Sequence, residues 1–317
     1  MSSMKQKRLA LVFACAILAC LASGFISSFF VKPFEPEHKE KEFTVCASCY
    51  PVYAVSSLII GNVPGMRLTQ LTQPQLKGYT DYELSDWDKA ILSKADVFVQ
   101  MGFGFEGFSG EAADNEAAII TLLSLMELKT VPSDCTILNY MQSDDMNVNS
   151  PWLYMSVDGM MELCEVMCGN MAYLDQVYSE QYYNNLYTAE NLFKPLKNRV
   201  ENTDTLKGKK VAIAHDGLLY TAYDLCADVE LYIRRSTAQE LDLEQVEECI
   251  AMMKNHGISI LLIEKEASQE MQSSFEAADI TVIRQQLMLD RSPAFTSQGY
   301  IDALNENLDA IEGAFTR

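Results

Sequence analysis

One local pattern occurs twice in this chain, and it constrains the fold more than any other feature. Residues 43–49, Phe-Thr-Val-Cys-Ala-Ser-Cys, form a β-favouring run closed by Tyr50-Pro51, and from Val52 to Ile60 apolar residues recur at helical spacing. Val211-Ala212-Ile213-Ala214 opens the same way, His215-Asp216-Gly217 closes it, and a helical pattern follows again. A strand that turns directly into a helix begins an α/β unit, because parallel strands need a helical crossover between them.

The segments after each opening keep the alternation. In the first half the patterning predicts strands over 66–71, 97–99 and 136–138. It predicts helices from the N-cap Ser85 to about 93, over 115–128, and through 160–168. Asp86 and Asp88 fall in the first turn after Ser85, where the helix dipole favours anions. In the second half, helices are expected over 246–255, 268–277 and 300–315, with strands over 258–263 and 281–283. Between the halves, 171–200 reads as one long helix interrupted only by Pro195, which predicts a kink. The expected class is therefore α/β, with two Rossmann-like lobes of mainly parallel sheet joined by one long connecting helix. The boundaries are 43–170 for the first lobe, 171–205 for the helix and 206–317 for the second lobe.

Ahead of the lobes, Lys5, Lys7 and Arg8 precede an uncharged run over 9–31, so residues 1–31 have the pattern of an export signal or membrane anchor. Two readings stand. Ile17-Leu18-Ala19-Cys20 looks like a lipobox that would place a lipid on Cys20, while the run of residues is also long enough to span a bilayer uncleaved. Both put the rest of the chain outside the cytoplasmic membrane, on its outer face. Residues 32–42 are charge-dense with two prolines, Pro33 and Pro36, and read as a tether. The net charge of −20 argues against nucleic acid as a partner, since phosphate binding needs clustered Lys and Arg.

Nine cysteines are present, and seven remain once Cys15 and Cys20 are set aside with the export segment. An odd count in a chain of this size is no disulfide framework. Cys46 and Cys49 invite a thiol-redox reading, but the spacing puts Cys49 ahead of the helix-patterned residues rather than at a helix start. Cys164 and Cys168 share a helix face and read as core.

Residues 71–106 carry the densest set of motifs: Leu71-Thr72-Gln73-Pro74-Gln75, Asp81-Tyr82-Glu83-Leu84, Ala95-Asp96-Val97 and Phe105-Glu106. With Tyr50-Pro51-Val52-Tyr53, Trp152-Leu153, His215-Asp216, Tyr220, Glu264 and Tyr300…Asn307-Leu308 they form an ordered series over 43–315. That series resembles the solute-binding proteins of zinc and manganese ABC importers. The resemblance implies a divalent metal held between the lobes as cargo, with closure limited to small tilts by the long helix. It also implies a permease and a cytoplasmic ATPase as partners.

Carried over residue by residue, the family's two first-lobe histidines fall on Thr80 and Ser150, the third ligand is His215, and the fourth falls on Asp290. Hydroxyls are weak zinc ligands, so the resemblance implies a degenerate or remodelled site. Asp81, Glu83 and Cys49 are possible substitutes, although Glu83 reads as a loop cap and Asp81 as a turn former. His215 itself is either a ligand or a hydrogen-bonded relic. No nucleophile, base and orienter fall at recognisable spacing, so no catalytic residue and no catalytic cofactor is expected. The expectation is capture of zinc or manganese and delivery to the permease. Its rivals are a metal-free, membrane-tethered interaction or regulatory protein and a thiol-redox lipoprotein.

Overall fold

The computed structural model describes residues 43–71, 82–108, 121–126, 139–143, 146–233, 241–288 and 297–316. Strand β1 (Phe43–Ala47) leads through Ser48-Cys49 into α1 (Tyr50–Ile60), and β2 (Met66–Gln70) returns parallel to β1 with Phe43 opposite Met66. Helix α2 (Asp86–Leu92) precedes β3 (Val97–Gln100), and β4 (Thr121–Ser124) completes a four-stranded sheet in the order β2-β1-β3-β4. A short hairpin, β5 (Asn139–Ser143) and β6 (Met146–Asn149), is the antiparallel element. Helix α3 (Val157–Leu174) and helix α4 (Ser179–Glu201) lead to the second lobe. There β7 (Lys210–Ile213), α5 (Leu219–Asp224), β8 (Asp228–Tyr232), α6 (Leu243–Asn255), β9 (Ile260–Glu264), α7 (Gln269–Glu276) and β10 (Thr281–Gln285) form a second four-stranded parallel sheet, ordered β8-β7-β9-β10. Helix α8 (Ser297–Gly313) closes the chain. The expected α/β class with two parallel-sheet lobes is the observed one.

Side-chain alternation sorts the strands into layers. Val211, Ile213, Ile260 and Leu262 share one apolar cluster with Val45, Ala47, Val97 and Val99 of the other sheet, together with Trp152, Phe193 and Tyr300. The opposite faces are separate: Cys46, Leu92 and Phe98 in the first lobe, Ala212, Leu261 and Phe275 in the second. A common core welds the lobes, since each buried side chain of this size contributes about 1.5–3 kcal/mol.

Three expectations need correction. Residues 121–124 are strand, not helix: the apolar run Ile119 to Met126 suits either state, and the open edge of β3 supplies ladder partners at Val97, Phe98, Val99 and Gln100. The long helix is broken at Asp175 (φ −129°, ψ 80°), with a 3-10 turn, Gln176–Tyr178, before α4. Helix α4 then runs through Pro195 without interruption, with Phe193 and Leu196 buried on either side of it, and such burial outweighs the roughly 3 kcal/mol a proline costs in a helix. The expected strand over 136–138 lies outside the described residues.

The loop before α2 is also held differently. Ser85 caps the helix as expected, but Asp88, not Glu83, closes the cap: it accepts from Ser85 N–H at 3.0 Å and from the Tyr82 hydroxyl. Glu83 is exposed.

Candidate metal centre

The second lobe presents its turn at the carboxyl end of a central strand, where α/β folds place ligands. Ala214 N–H still donates to Leu262 C=O at 2.9 Å, and His215 then holds extended backbone (φ −148°, ψ 137°) as the N-cap of a 3-10 turn, Asp216–Leu218. Its Nδ1 accepts from Gly217 N–H at 2.9 Å and stands 3.1 Å from Asp216 Oδ1. With Nδ1 accepting from Gly217 N–H, the neutral ring carries its proton on Nε2; Nε2 is a metal donor only in the other tautomer, with the proton on Nδ1 facing Asp216 Oδ1.

His215 is 4% exposed, and the lid over it comes from the other lobe. The Trp152 ring packs edge-on against the imidazole (4.8 Å, 88°), and its Nε1–H donates to Asp216 Oδ2 at 3.1 Å. Ser150, two residues earlier, is 0% exposed; its C=O accepts from the Tyr220 hydroxyl at 3.2 Å, and its Oγ has no hydrogen-bond partner among the described residues. His215 and Ser150 thus belong to one seam. Gly217 is required there because a Cβ would stand 2.7 Å from Trp152 Cε3 and 3.1 Å from His215 Nδ1.

Thr80, Asp81 and Asp290 lie outside the described residues, as do Cys20 and the rest of 1–42. Among the described residues no group of three His, Cys, Asp or Glu side chains comes together as a metal cage.

One acidic residue stood in the motif series without being weighed as a donor candidate. The β7–β9 register pairs Ile213 with Leu262; carried two residues on, it brings His215 level with Glu264, which is buried at the end of β9. The signal was present in the sequence, since β2, β3, β4, β9 and β10 each end in a polar residue that is buried: Gln70, Gln100, Ser124, Glu264 and Gln285.

Cys46 and Cys49 lack the exposure and the lowered thiol pKa that mark a reactive pair. Cys49 does sit at a helix start, as N-cap of α1, contrary to the spacing-based expectation; what disqualifies the pair is burial. Removal from water raises the Cys46 thiol to about 12 and pushes Cys49 up further, with the Glu106 carboxylate adding to the rise. Cys164 is likewise buried and raised.

No curated protein matches this sequence. Solved structures do match in fold: the SBP FpvC from Pseudomonas aeruginosa in complex with Mn2+ has a TM-score of 0.74 at 16% identity, over 86% of this chain and 98% of that one. A zinc-bound deletion mutant of ZnuA gives 0.65 at 20% identity, over 86% and 96%. Zn(II)-bound AdcA from Streptococcus pneumoniae gives 0.70 at 17% identity, over 87% of this chain and 58% of that one. The family model described as zinc-uptake complex component A, periplasmic, matches residues 45–314, and the chain belongs to that family.

Proposed function

We propose that this protein is the extracytoplasmic binding component of an ABC importer for a divalent transition metal, zinc or manganese, with a remodelled site. The observation that carries the reading is His215: the one histidine the family resemblance keeps is buried at the interlobe seam, oriented by Asp216 and covered by Trp152 of the opposite lobe. A metal-bound imidazole usually donates its other ring N–H to a carboxylate, and on this reading metal binding puts the His215 proton on Nδ1, facing Asp216 Oδ1, in place of the bond accepted from Gly217 N–H. Glu264, level with His215, is the second-lobe carboxylate we assign beside it, with Asp290 as the further donor; Thr80, Asp81 and Ser150 form the first-lobe side. A site of one nitrogen and several oxygens favours manganese more than the nitrogen-rich sets of zinc.

On the same reading residues 1–31 export and anchor the chain, with Cys20 as the lipidated position, 32–42 tether it, and 43–170, 171–205 and 206–317 are lobe, connector and lobe. The permease and its ATPase are the partners that take the cargo. Binding, not chemistry, is the activity. Among the described residues no helix is long and apolar enough to cross a membrane.

The test is the metal content of protein purified without chelator, with calorimetric titration of Mn2+ and Zn2+, beside His215→Ala and Glu264→Gln. Micromolar or tighter binding lost in both variants supports the reading. Wild-type protein that takes up neither ion refutes it and leaves the second reading, a metal-free interaction protein. The double substitution Thr80→His with Ser150→His separates degeneration from reshaping: a gain in zinc affinity marks a cleft of intact geometry, and no gain marks a different one.

A further inference from the structure

The loop after β3 carries a buried carboxylate that no metal-binding role requires. Glu106 is 2% exposed, and its Oε1 accepts from Ser48 Oγ–H at 2.6 Å and from Met101 N–H at 2.7 Å, while Oε2 accepts from Gly102 N–H at 3.1 Å. Burial raises this carboxyl despite those donors. The donors are therefore spent on geometry: Ser48 belongs to the turn between β1 and α1, so one carboxylate ties that turn to the end of β3.

What it holds is a loop in an unusual conformation. Gly102 (φ 91°), Phe103 (φ 52°) and Gly104 (φ 76°) are successive left-handed residues, and a phenylalanine adopts that region only when its surroundings impose it. The loop tightens through Phe105 N–H donating to Gly102 C=O at 3.1 Å. Its product is the position of Phe105, which packs edge-on against Trp152 (5.2 Å, 82°) and Tyr154 (6.1 Å, 83°). Both rings reach the second lobe: Trp152 packs on His215 and bonds Asp216, and the Tyr154 hydroxyl donates to Leu287 C=O at 3.0 Å. An unbroken line of contacts runs from Ser48 and Glu106 through Phe105 to the imidazole.

We infer that Glu106 is a positioning residue: by fixing the left-handed loop it sets Phe105 against Trp152 and so determines how the first lobe covers the His215 turn. Its effect on metal affinity rests on the reading proposed above; its effect on Trp152 does not.

The chain has two tryptophans, and Trp87 is 68% exposed, so Trp87→Phe leaves Trp152 as the sole indole reporting from the seam. In that background Glu106→Gln and Phe105→Leu are compared with the parent by indole emission and near-ultraviolet circular dichroism well below the melting transition, and by competition binding of Mn2+ and Zn2+. Glu106→Gln replaces an all-acceptor carboxylate with an amide whose NH2 faces a backbone donor, so it should alter the Trp152 signal of folded protein and weaken metal binding about tenfold. Phe105→Leu, which leaves Glu106 and its donors in place, should give the same pair of changes. A Trp152 signal that superimposes on the parent in both variants, with only the melting temperature lowered, would overturn the inference and make Glu106 a stabiliser. Should Glu106→Gln fail to fold, Phe105→Leu alone decides. A parent that binds neither ion removes the metal reading, and the spectra still test the positioning.

Discussion

The turn after β1 and the turn after β7 occupy the same place in their sheets, each on the second strand of four, yet they are filled with opposite chemistry. Cys49 and His215 are both helix N-caps with nearly the same φ, −146° and −148°. Cys49 makes no side-chain cap, whereas His215 accepts from Gly217 N–H. On the neighbouring strand the same register step meets Met101 in the first lobe and Glu264 in the second. One frame therefore holds the buried Cys49 thiol at one turn and an imidazole with a carboxylate at the other. The lesson is that equivalent turns of the two lobes carry different side chains; among the described residues the first lobe meets the His215 turn through Ser150 and Trp152.

The comparison can be broken by substitution. The largest expected effect is on binding: His215→Ala should lower divalent-metal affinity about 100-fold, whereas Cys49→Ala should leave it within about twofold in the same titration. Loss in both, or in neither, would end the distinction between the two turns. Next comes Gly217→Ala. Its new Cβ would meet Trp152, Leu287 and His215 at 2.7–3.1 Å, so unfolding free energy should fall by roughly 1–3 kcal/mol in a denaturant titration, with binding weakened as well. The equivalent first-lobe position is Pro51, which the start of a helix accepts.

A smaller effect is expected from the seam carboxyl Asp224, which accepts from Ser156 Oγ–H at 3.1 Å and is raised to about 7 chiefly by burial, with Asp158 adding and Lys197 opposing. Because the folded state holds this proton more tightly than the unfolded chain, the stability it confers is present at acid pH and is lost as pH climbs from about 4 to 7. Melting temperatures measured across that window should fall in the parent and fall less in Asp224→Asn, which should be more stable at pH 8 by about 1–2 kcal/mol. The reverse slope would mean the carboxyl is ionised at the seam. Smallest is the loss of sulfur packing in Cys49→Ala, about 1 kcal/mol in a melt. Alkylation of native protein, mapped by mass, should mark the exposed Cys226 and spare Cys46 and Cys49.

Much of the architecture was legible because it depends on local signals. Ser85 and Ser268 cap helices where the sequence places them, the runs Val97 to Gln100 and Ile260 to Glu264 are strands, and the repeated strand–turn–helix opening marks both lobes. Where the local signal was ambiguous, partners decided: Thr121 to Ser124 became strand because β3 had an open edge, and Pro195 stayed in a helix because Phe193 and Leu196 are buried around it.

The same division holds for the site. Residue order alone indicated the family, and by resemblance it singled out Thr80, Ser150 and His215 as the positions to compare with the family's ligands, since those are chemical identities at fixed spacing. That Trp152 covers His215, that Glu264 comes level with it, and that Glu106 braces Phe105 across a left-handed loop were decided by tertiary structure. These relations join residues separated by tens of positions along the chain, and only the register of parallel strands and the packing of rings at the seam bring them together.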